Sequence, residues 1–513
     1  MNRKLPASLL AWVSCALILC AMATRARSQS APTSLGVFDG HNDVGTVLHA
    51  GTVDFDSAKG AYTITGSGEN MWLTKDAFHF LWKKTSGDVS LTADIHFPSA
   101  GTNPHRKAVL VIRQNLDADS VYVDAALHGS GLTALQYRSA IGDETHDIEW
   151  NISAPQRLRI DKRGDTITMY MSTNGEPLHP AGAAVKLHLE GEFYIGLGVC
   201  SHDKNVIEKA VFSNVQLKPI APAIADAKPI LYSTLRTIAT NPESPIQTNV
   251  FTAQGLFAAP NWTRDGKSLL FDQSGKIMSI PVDGGTPHAL DTGIATNCGS
   301  SHGLSPDGKW LAATCFVAGD PGARIYIFPS GGGAARLVTK NPASWWHGWS
   351  PDGKTLAFVR PGSDGLNIDT ISVDGGEESA ATTGAGIHDD PDYSPDGQYI
   401  YFNSNRGGGT MQIWRMHPDG SQPEQVTSDE RNNWTPHISP DDKWMVFVSY
   451  DKSVTGHLPN KDIQLRLMSL GDKKIRTLVD IVGGAGTINV PSWAPDSSHL
   501  AFVSFELVPA DAK

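Results

Sequence analysis

Apolar and polar residues alternate in short runs along most of this chain, and turn residues break the runs. Between residues 35 and 218 the runs fall at 62–66, 78–83, 89–97, 108–114, 121–127, 133–138, 156–162, 166–172, 193–199 and 209–217. A period of two over five to nine residues predicts half-buried strands. No stretch carries a convincing helical period, so ten short strands predict a β-sandwich over 35–218. Residues 219–228, rich in Pro and Ala, predict a linker.

From residue 229 the pattern becomes a repeat. Pro260-Asn-Trp-Thr-Arg-Asp265-Gly returns as His302-Gly-Leu-Ser-Pro-Asp307-Gly, His347-Gly-Trp-Ser-Pro-Asp352-Gly, Pro391-Asp-Tyr-Ser-Pro-Asp396-Gly, Pro436-His-Ile-Ser-Pro-Asp441-Asp and Pro491-Ser-Trp-Ala-Pro-Asp496-Ser. The aspartates are 42, 45, 44, 45 and 55 residues apart. A β-rich unit of that length predicts a four-stranded propeller blade. A strand follows each turn, at 268–271, 310–315, 355–359, 399–403, 444–449 and 500–504. Each Asp is read as a turn former, because its side chain accepts from the turn amides while Gly takes positive φ. Only 17 residues follow Asp496, too few for a whole blade. The runs at 230–238 and 246–251 therefore have to complete the sixth. The fold class is all-β: an N-terminal β-sandwich, then a six-bladed β-propeller over 229–513.

The Ser-Pro-Asp-Gly-Lys turns resemble those of TolB-like propellers with WD40-like repeats. The endings Phe193-Tyr-Ile-Gly-Leu-Gly-Val199 and Ala210-Val-Phe-Ser-Asn-Val-Gln-Leu217 resemble concanavalin-like jelly rolls. The first resemblance implies the propeller but no single function, since that family includes assembly factors, peptidase domains and polysaccharide lyases. The second implies a glycan-binding concave sheet, for which Arg113, Gln114, Tyr137 and Arg138 are candidates beside Trp82, Asp124, His128, His202 and Asp203. The opposing reading puts Trp82 in the core and Arg113 in an internal ion pair.

Charge and leader set the compartment. Arg3 and Lys4 precede an apolar run from Leu9 to Met22, and Ala21-Met22-Ala23 suits a signal peptidase. Residues 1–23 read as a signal peptide, and the protein as periplasmic or secreted. The run is shorter than a bilayer span, so no membrane-spanning segment is expected. A net charge of −11 argues against nucleic acid as partner. Cys200, Cys298 and Cys315 lie beyond the leader. Antiparallel pairing about Pro306-Asp-Gly308 puts Cys298 opposite 315 or 316, where one bridge can form.

Propellers take ligands in the central funnel. The residues beside each Pro-x-aromatic segment should line it: Trp345, Trp346, Asp389, Asp390, Asn433 and Trp434 as ligand contacts, and His302, His347, His388 and His437 as candidate metal ligands. Neutral imidazoles suit Mn, Zn or Fe. His302 and His347 occupy equivalent repeat positions and form the expected core of such a site. Oligogalacturonate lyases resemble this architecture, with a His-rich metal site, although their ligand set does not match residue by residue. The opposing reading has channel histidines bonded to each other, to backbone and to water. Gly299-Ser-Ser301-His-Gly303 lacks the strand-to-helix setting of a nucleophile elbow. With so little chain after the last repeat, no hydrolase domain is expected there.

Three functions remain open. The first is a binding protein recognising a glycan or protein partner through the sandwich face and funnel. The second is a metal-assisted polysaccharide lyase or related carbohydrate enzyme. The third is an envelope assembly or transport component with an envelope protein as partner.

Overall fold

The computed structural model describes residues 34–510, apart from 174, 222–227, 241–245, 364 and 490–491. The expected signal peptide at 1–23 and most of the expected linker at 219–228 lie outside the described residues. The described residues are all β. The ten N-terminal runs became strands with small shifts of their ends, for example Lys107–Arg113, Tyr122–His128 and Thr133–Arg138.

Two sheets pack face to face in the N-terminal part. Leu81, Leu110, Ile112, Leu135 and Leu197 of one meet Ile64, Leu91, Ile160, Met169 and Phe212 of the other in one buried core. The opposite face of the first sheet is also covered. A two-strand hairpin, Met71–Trp72 with Lys75–Asp76, lies over it and buries Met71 with Phe78, Phe80, Val109, Val111 and Tyr122.

Beyond residue 256 the chain forms repeating antiparallel sheets whose second strands are the runs that follow the Asp turns. The turn aspartates do what their spacing implies. Asp307 Oδ1 accepts from the Ser305 hydroxyl at 2.6 Å and from the Lys309 amide at 3.1 Å. Asp352, Asp396 and Asp441 repeat that pattern. The last sheet closes as its residue count requires. Ile230–Ala239 pairs along its length with His499–Val508 near the C-terminus, and Gln247–Gln254 pairs on its other side. Cys298 and Cys315 are register partners joined by a disulfide, and Cys200 is free and buried.

One feature was not anticipated. His146–Trp150, the edge strand of the first sandwich sheet, pairs in parallel with Gln247–Gln254. One ten-stranded sheet therefore runs from the sandwich into the last propeller sheet. A second contact reinforces the seam. In the strand His179–Lys186, Gly182 has φ +75°, and a Cβ there would lie 2.1 Å from the Thr234 hydroxyl. Only glycine lets this backbone come so close. The carbonyls it presents are used at once: that of Ala181 accepts from Trp150 Nε1 at 2.6 Å and Asn249 Nδ2 at 3.2 Å, and that of Gly182 accepts from Arg236.

The seam also holds a carboxyl at a cost. Glu506 Oε1 accepts from the Thr168 hydroxyl at 3.0 Å, whereas Oε2 is buried without a hydrogen-bond partner among the described residues. Burial pushes its pKa up to about 7, against the pull of Thr168 and Arg236. The folded pKa exceeds the unfolded one, so the folded state holds the extra proton and stability falls as pH rises through roughly 4.5 to 7. Glu506→Gln should thus be the more stable form at pH 8, by roughly 1–3 kcal/mol, and equal to wild type near pH 4.5. Urea unfolding at the two pH values reads this directly, and an unchanged difference between them would contradict the assignment.

Candidate functional site

The first strands of five repeats carry a bulge, and the bulges build the funnel. Opposite single partner residues stand Ala259 with Pro260, Asp390 with Pro391, and Thr435 with Pro436; His347 is the extra residue of its own strand. Ala259, Asp390 and Thr435 have φ of 59°, 51° and 49°. A bulge re-aims side chains away from the ladder. Here it turns these residues into a cavity of about 280 Å³, also lined by Ser301, Trp345, Asp389, His437, His457 and Asn489.

His347, Asp389 and Asp390 form the chemical centre. One ligand atom from each lies within 4.8 Å of the others. His347 Nδ1 is 3.3 Å from Asp390 Oδ1, and Nε2 is 3.6 Å from Asp389 Oδ1. From the other side His457 Nδ1 stands 3.8 Å from Asp390 Oδ2. These separations exceed hydrogen bonds. Atoms bound about 2.1 Å from one metal lie roughly 3–4 Å apart; a single ion takes only one of the two His347 nitrogens, and with one ligand atom from each residue the three stay within 4.8 Å. Asp390 Oδ2, both ring nitrogens of His437 and Nε2 of His457 are buried without hydrogen-bond partners among the described residues.

The electrostatics suit a cation. Burial pulls the His347 pKa down to about 3 and that of His457 to about 4, so both imidazoles are neutral donors at physiological pH. Burial pushes the Asp390 carboxyl well up, and the adjacent Asp389 charge adds to this. Two neighbouring buried carboxylates cannot both ionise cheaply unless a positive charge joins them.

The expected ligands divide. His347, Asp389, Asp390, His437 and Trp345 line the funnel. His302 does not. Its strand has three residues opposite one at the bulge, its ring is fully buried, and Nδ1 faces the Gly299 carbonyl at 3.4 Å. The expected His302–His347 pairing is corrected on this geometry: equivalent repeat positions diverge because their bulges differ. His388 is likewise turned inward, 2.7 Å from the Ser404 hydroxyl. Trp346 and Trp434 belong to the cores between sheets. Asn433 is fully buried, with its amide spent on Gln412, Thr427, Asp429 and Ser449.

His457 was not anticipated. It lies between the strands Trp444–Tyr450 and Lys461–Ser469 and stacks on Trp434 with centroids 4.9 Å apart and planes at 17°. The signal was a length: the interval containing it is 55 residues where the others are 42 to 45.

The sandwich candidates are otherwise engaged. Arg113 and Arg138 are fully buried and hold Asp76 of the covering hairpin, Arg138 through both oxygens at 3.0 and 3.1 Å. Their expected role as sugar contacts is therefore corrected: Arg113 makes the internal ion pair weighed against it, and Arg138 shares the same partner. Gln114 bridges the backbone of Glu190 and Glu192, and half-buried Tyr137 stacks on His146 at 5.2 Å.

A family model described as the TolB β-propeller domain matches residues 304–470. An uncharacterized protein of Agrobacterium fabrum is 45% identical over 251 residues, which is 49% of this chain and 85% of the relative. The solved structure of a TolB-type protein of Agrobacterium tumefaciens shares 40% identity and a TM-score of 0.52, over 54% of this chain and 99% of that one. The chain belongs to the TolB-like β-propeller family. A manganese complex of an oligogalacturonate lyase also superposes, at 13% identity and a TM-score of 0.33 over 49% of this chain and 88% of that one. A likeness of that size bears on neither metal nor reaction in this TolB-like propeller.

The hairpin ion pair yields a test. Asp76→Ala strands two buried guanidiniums, which should cost about 3–5 kcal/mol. Denaturant unfolding of the whole chain measures it, and a loss under 1 kcal/mol would show that Asp76 is not what holds the hairpin down.

Proposed function

We propose that this chain is an exported propeller protein whose funnel binds a divalent metal ion and uses it to hold a ligand. The observation that carries this reading is the convergence of His347, Asp389 and Asp390 beside His437 and His457, whose Nε2 atoms are buried without hydrogen-bond partners among the described residues. A site built from imidazole and carboxylate takes Mn, Zn or Fe(II). A cavity of about 280 Å³ leaves space beside the ion for a small group, such as a carboxylate or a sugar hydroxyl at the end of a glycan or partner. Among the described residues no helix is long and apolar enough to cross a membrane. The leader-like N-terminus supports a periplasmic or secreted setting, with a glycan or an envelope protein as partner.

A second reading, a metal-assisted carbohydrate enzyme, has one observation in its favour. His437 lines the cavity with Nδ1 3.5 Å from Asp392 Oδ2 and with Nε2 buried without a hydrogen-bond partner among the described residues, so Nε2 is the atom that could take a proton from a bound ligand.

The decisive measurement is metal content after incubation with Mn, Zn or Fe(II) and gel filtration. Wild type should retain about one ion per chain. His347→Ala and Asp390→Asn should each lose affinity at least ~10-fold, because the remaining donors cannot complete the shell. His302→Ala should keep the metal. A metal-free wild type, or equal loss in His302→Ala and His347→Ala, would overturn the proposal.

A further inference from the structure

Three histidines outside the funnel meet at one end of the first sandwich sheet. Phe193–Cys200, Lys107–Arg113 and Tyr122–His128 are neighbouring strands of that sheet, and Lys107 stands opposite Cys200 on one side and His128 on the other. His105 lies two residues before Lys107, and His202 two residues after Cys200. Each of the three strands thus brings one imidazole to the same rim. The His105 ring centroid is 5.4 Å from that of His202 and 6.4 Å from that of His128.

The surrounding backbone holds these rings in place. Asn103 fastens two of the loops: its Oδ1 accepts from the His105 amide at 2.8 Å, and its Nδ2 donates to the His202 carbonyl at 2.9 Å. His202 has φ 57°, a left-handed conformation that few residues other than glycine take. Its Nδ1 is buried without a hydrogen-bond partner among the described residues. His128 Nδ1 is 3.1 Å from the Leu132 carbonyl. A carbonyl only accepts, so Nδ1 carries the hydrogen and Nε2 keeps its lone pair. Metal-binding imidazoles are oriented in this way. Glu69 lies within electrostatic reach of His202, and Glu149 of His105. The buried Lys107 amine opposes them with a positive charge, which Asp124 and Asp147 offset.

From this arrangement we infer that His105, His128 and His202 form a second metal site, on the rim of the sandwich, for an ion of the Zn(II), Cu(II) or Ni(II) class. Two imidazoles that share an ion at ~2.1 Å, with ~1.1 Å from nitrogen to ring centre, have centroids up to roughly 6.4 Å apart. Both measured separations fall within that reach. Among the described residues only the funnel group already has three donors within 4.8 Å of one another, so here the ion draws the third ring in. His105 is exposed, and its ring turns about χ1 and χ2 without disturbing the core. An all-imidazole set suits Zn, Cu or Ni, whereas carboxylates such as those of the funnel also suit Mn. Three protein donors leave one position of a tetrahedral ion open to water or a ligand. The site is separate from the funnel, and the inference does not rest on the funnel reading.

The test uses the full chain carrying His347→Ala, so that the funnel's own ion does not mask the result. After incubation with Zn(II) and gel filtration this chain should retain about one ion, and after incubation with Mn(II) none. Adding His105→Ala or His202→Asn should each weaken Zn(II) binding at least ~10-fold in calorimetry, because two imidazoles cannot complete the shell. Both changes are mild for the fold: His105 is exposed, and asparagine tolerates the left-handed backbone of residue 202. Adding His188→Ala, a surface histidine of the same sandwich paired with Asp165, should leave binding unchanged. With Cu(II), electron paramagnetic resonance should show nitrogen hyperfine structure that His105→Ala diminishes. The inference is overturned if the His347→Ala chain holds no Zn(II), if binding survives both His105→Ala and His202→Asn, or if His188→Ala weakens it as much as they do. Failure of the funnel reading looks different: wild type and His347→Ala would then hold the same single ion.

Discussion

The pairing of Ile230–Ala239 with His499–Val508 is the constraint on which the rest of the molecule depends. It joins the start of the propeller to its end through a ladder running from Ile230↔Val508 to Ala239↔His499, and a closed ring has no exposed sheet edge at that point. It also places Gln247–Gln254 on the outside of the closing sheet, and that outer edge is where the sandwich attaches. Ring closure and domain attachment thus share one sheet. Strain at the seam reaches the ring directly, because Glu506 and Arg236 lie on the closing pair of strands.

Much of the propeller was legible because a repeat reports six times on the same geometry. The Ser-Pro-Asp-Gly turns recur with the same hydrogen bonds, so the apolar run after each could only be the next strand. The elements that escaped were the hairpin Met71–Asp76 and the strands Gly40–Val44, Thr52–Asp56, His146–Trp150 and His179–Lys186. Their sequences, such as HDIEW and HPAGAAVK, mix charge, glycine and alanine. Apolar alternation is the signal of a strand with one face in a core, and these strands owe their places to ion pairs, close backbone approach and an edge.

The funnel shows where a repeat misleads. His302 and His347 stand at equivalent positions in sequence, yet only His347 reaches the cavity. Sequence spacing counts residues, whereas side-chain direction depends on how many of them a bulge inserts between ladder partners. Three face one in the strand of His302, while His347 is itself the single residue added to its strand. The same device explains why Asp390 and Thr435, which precede prolines and carry positive φ, point where their neighbours do not. A functional cavity is thus assembled from local departures from regular pairing, each affordable because the four-stranded sheet behind it stays intact.

What the funnel asks of a ligand follows from how it is enclosed. It sits where several first strands converge, so its donors come from separate repeats and crowd within a few ångströms; two of its acids are adjacent in the chain and repel. Such a site is relieved by one concentrated positive charge.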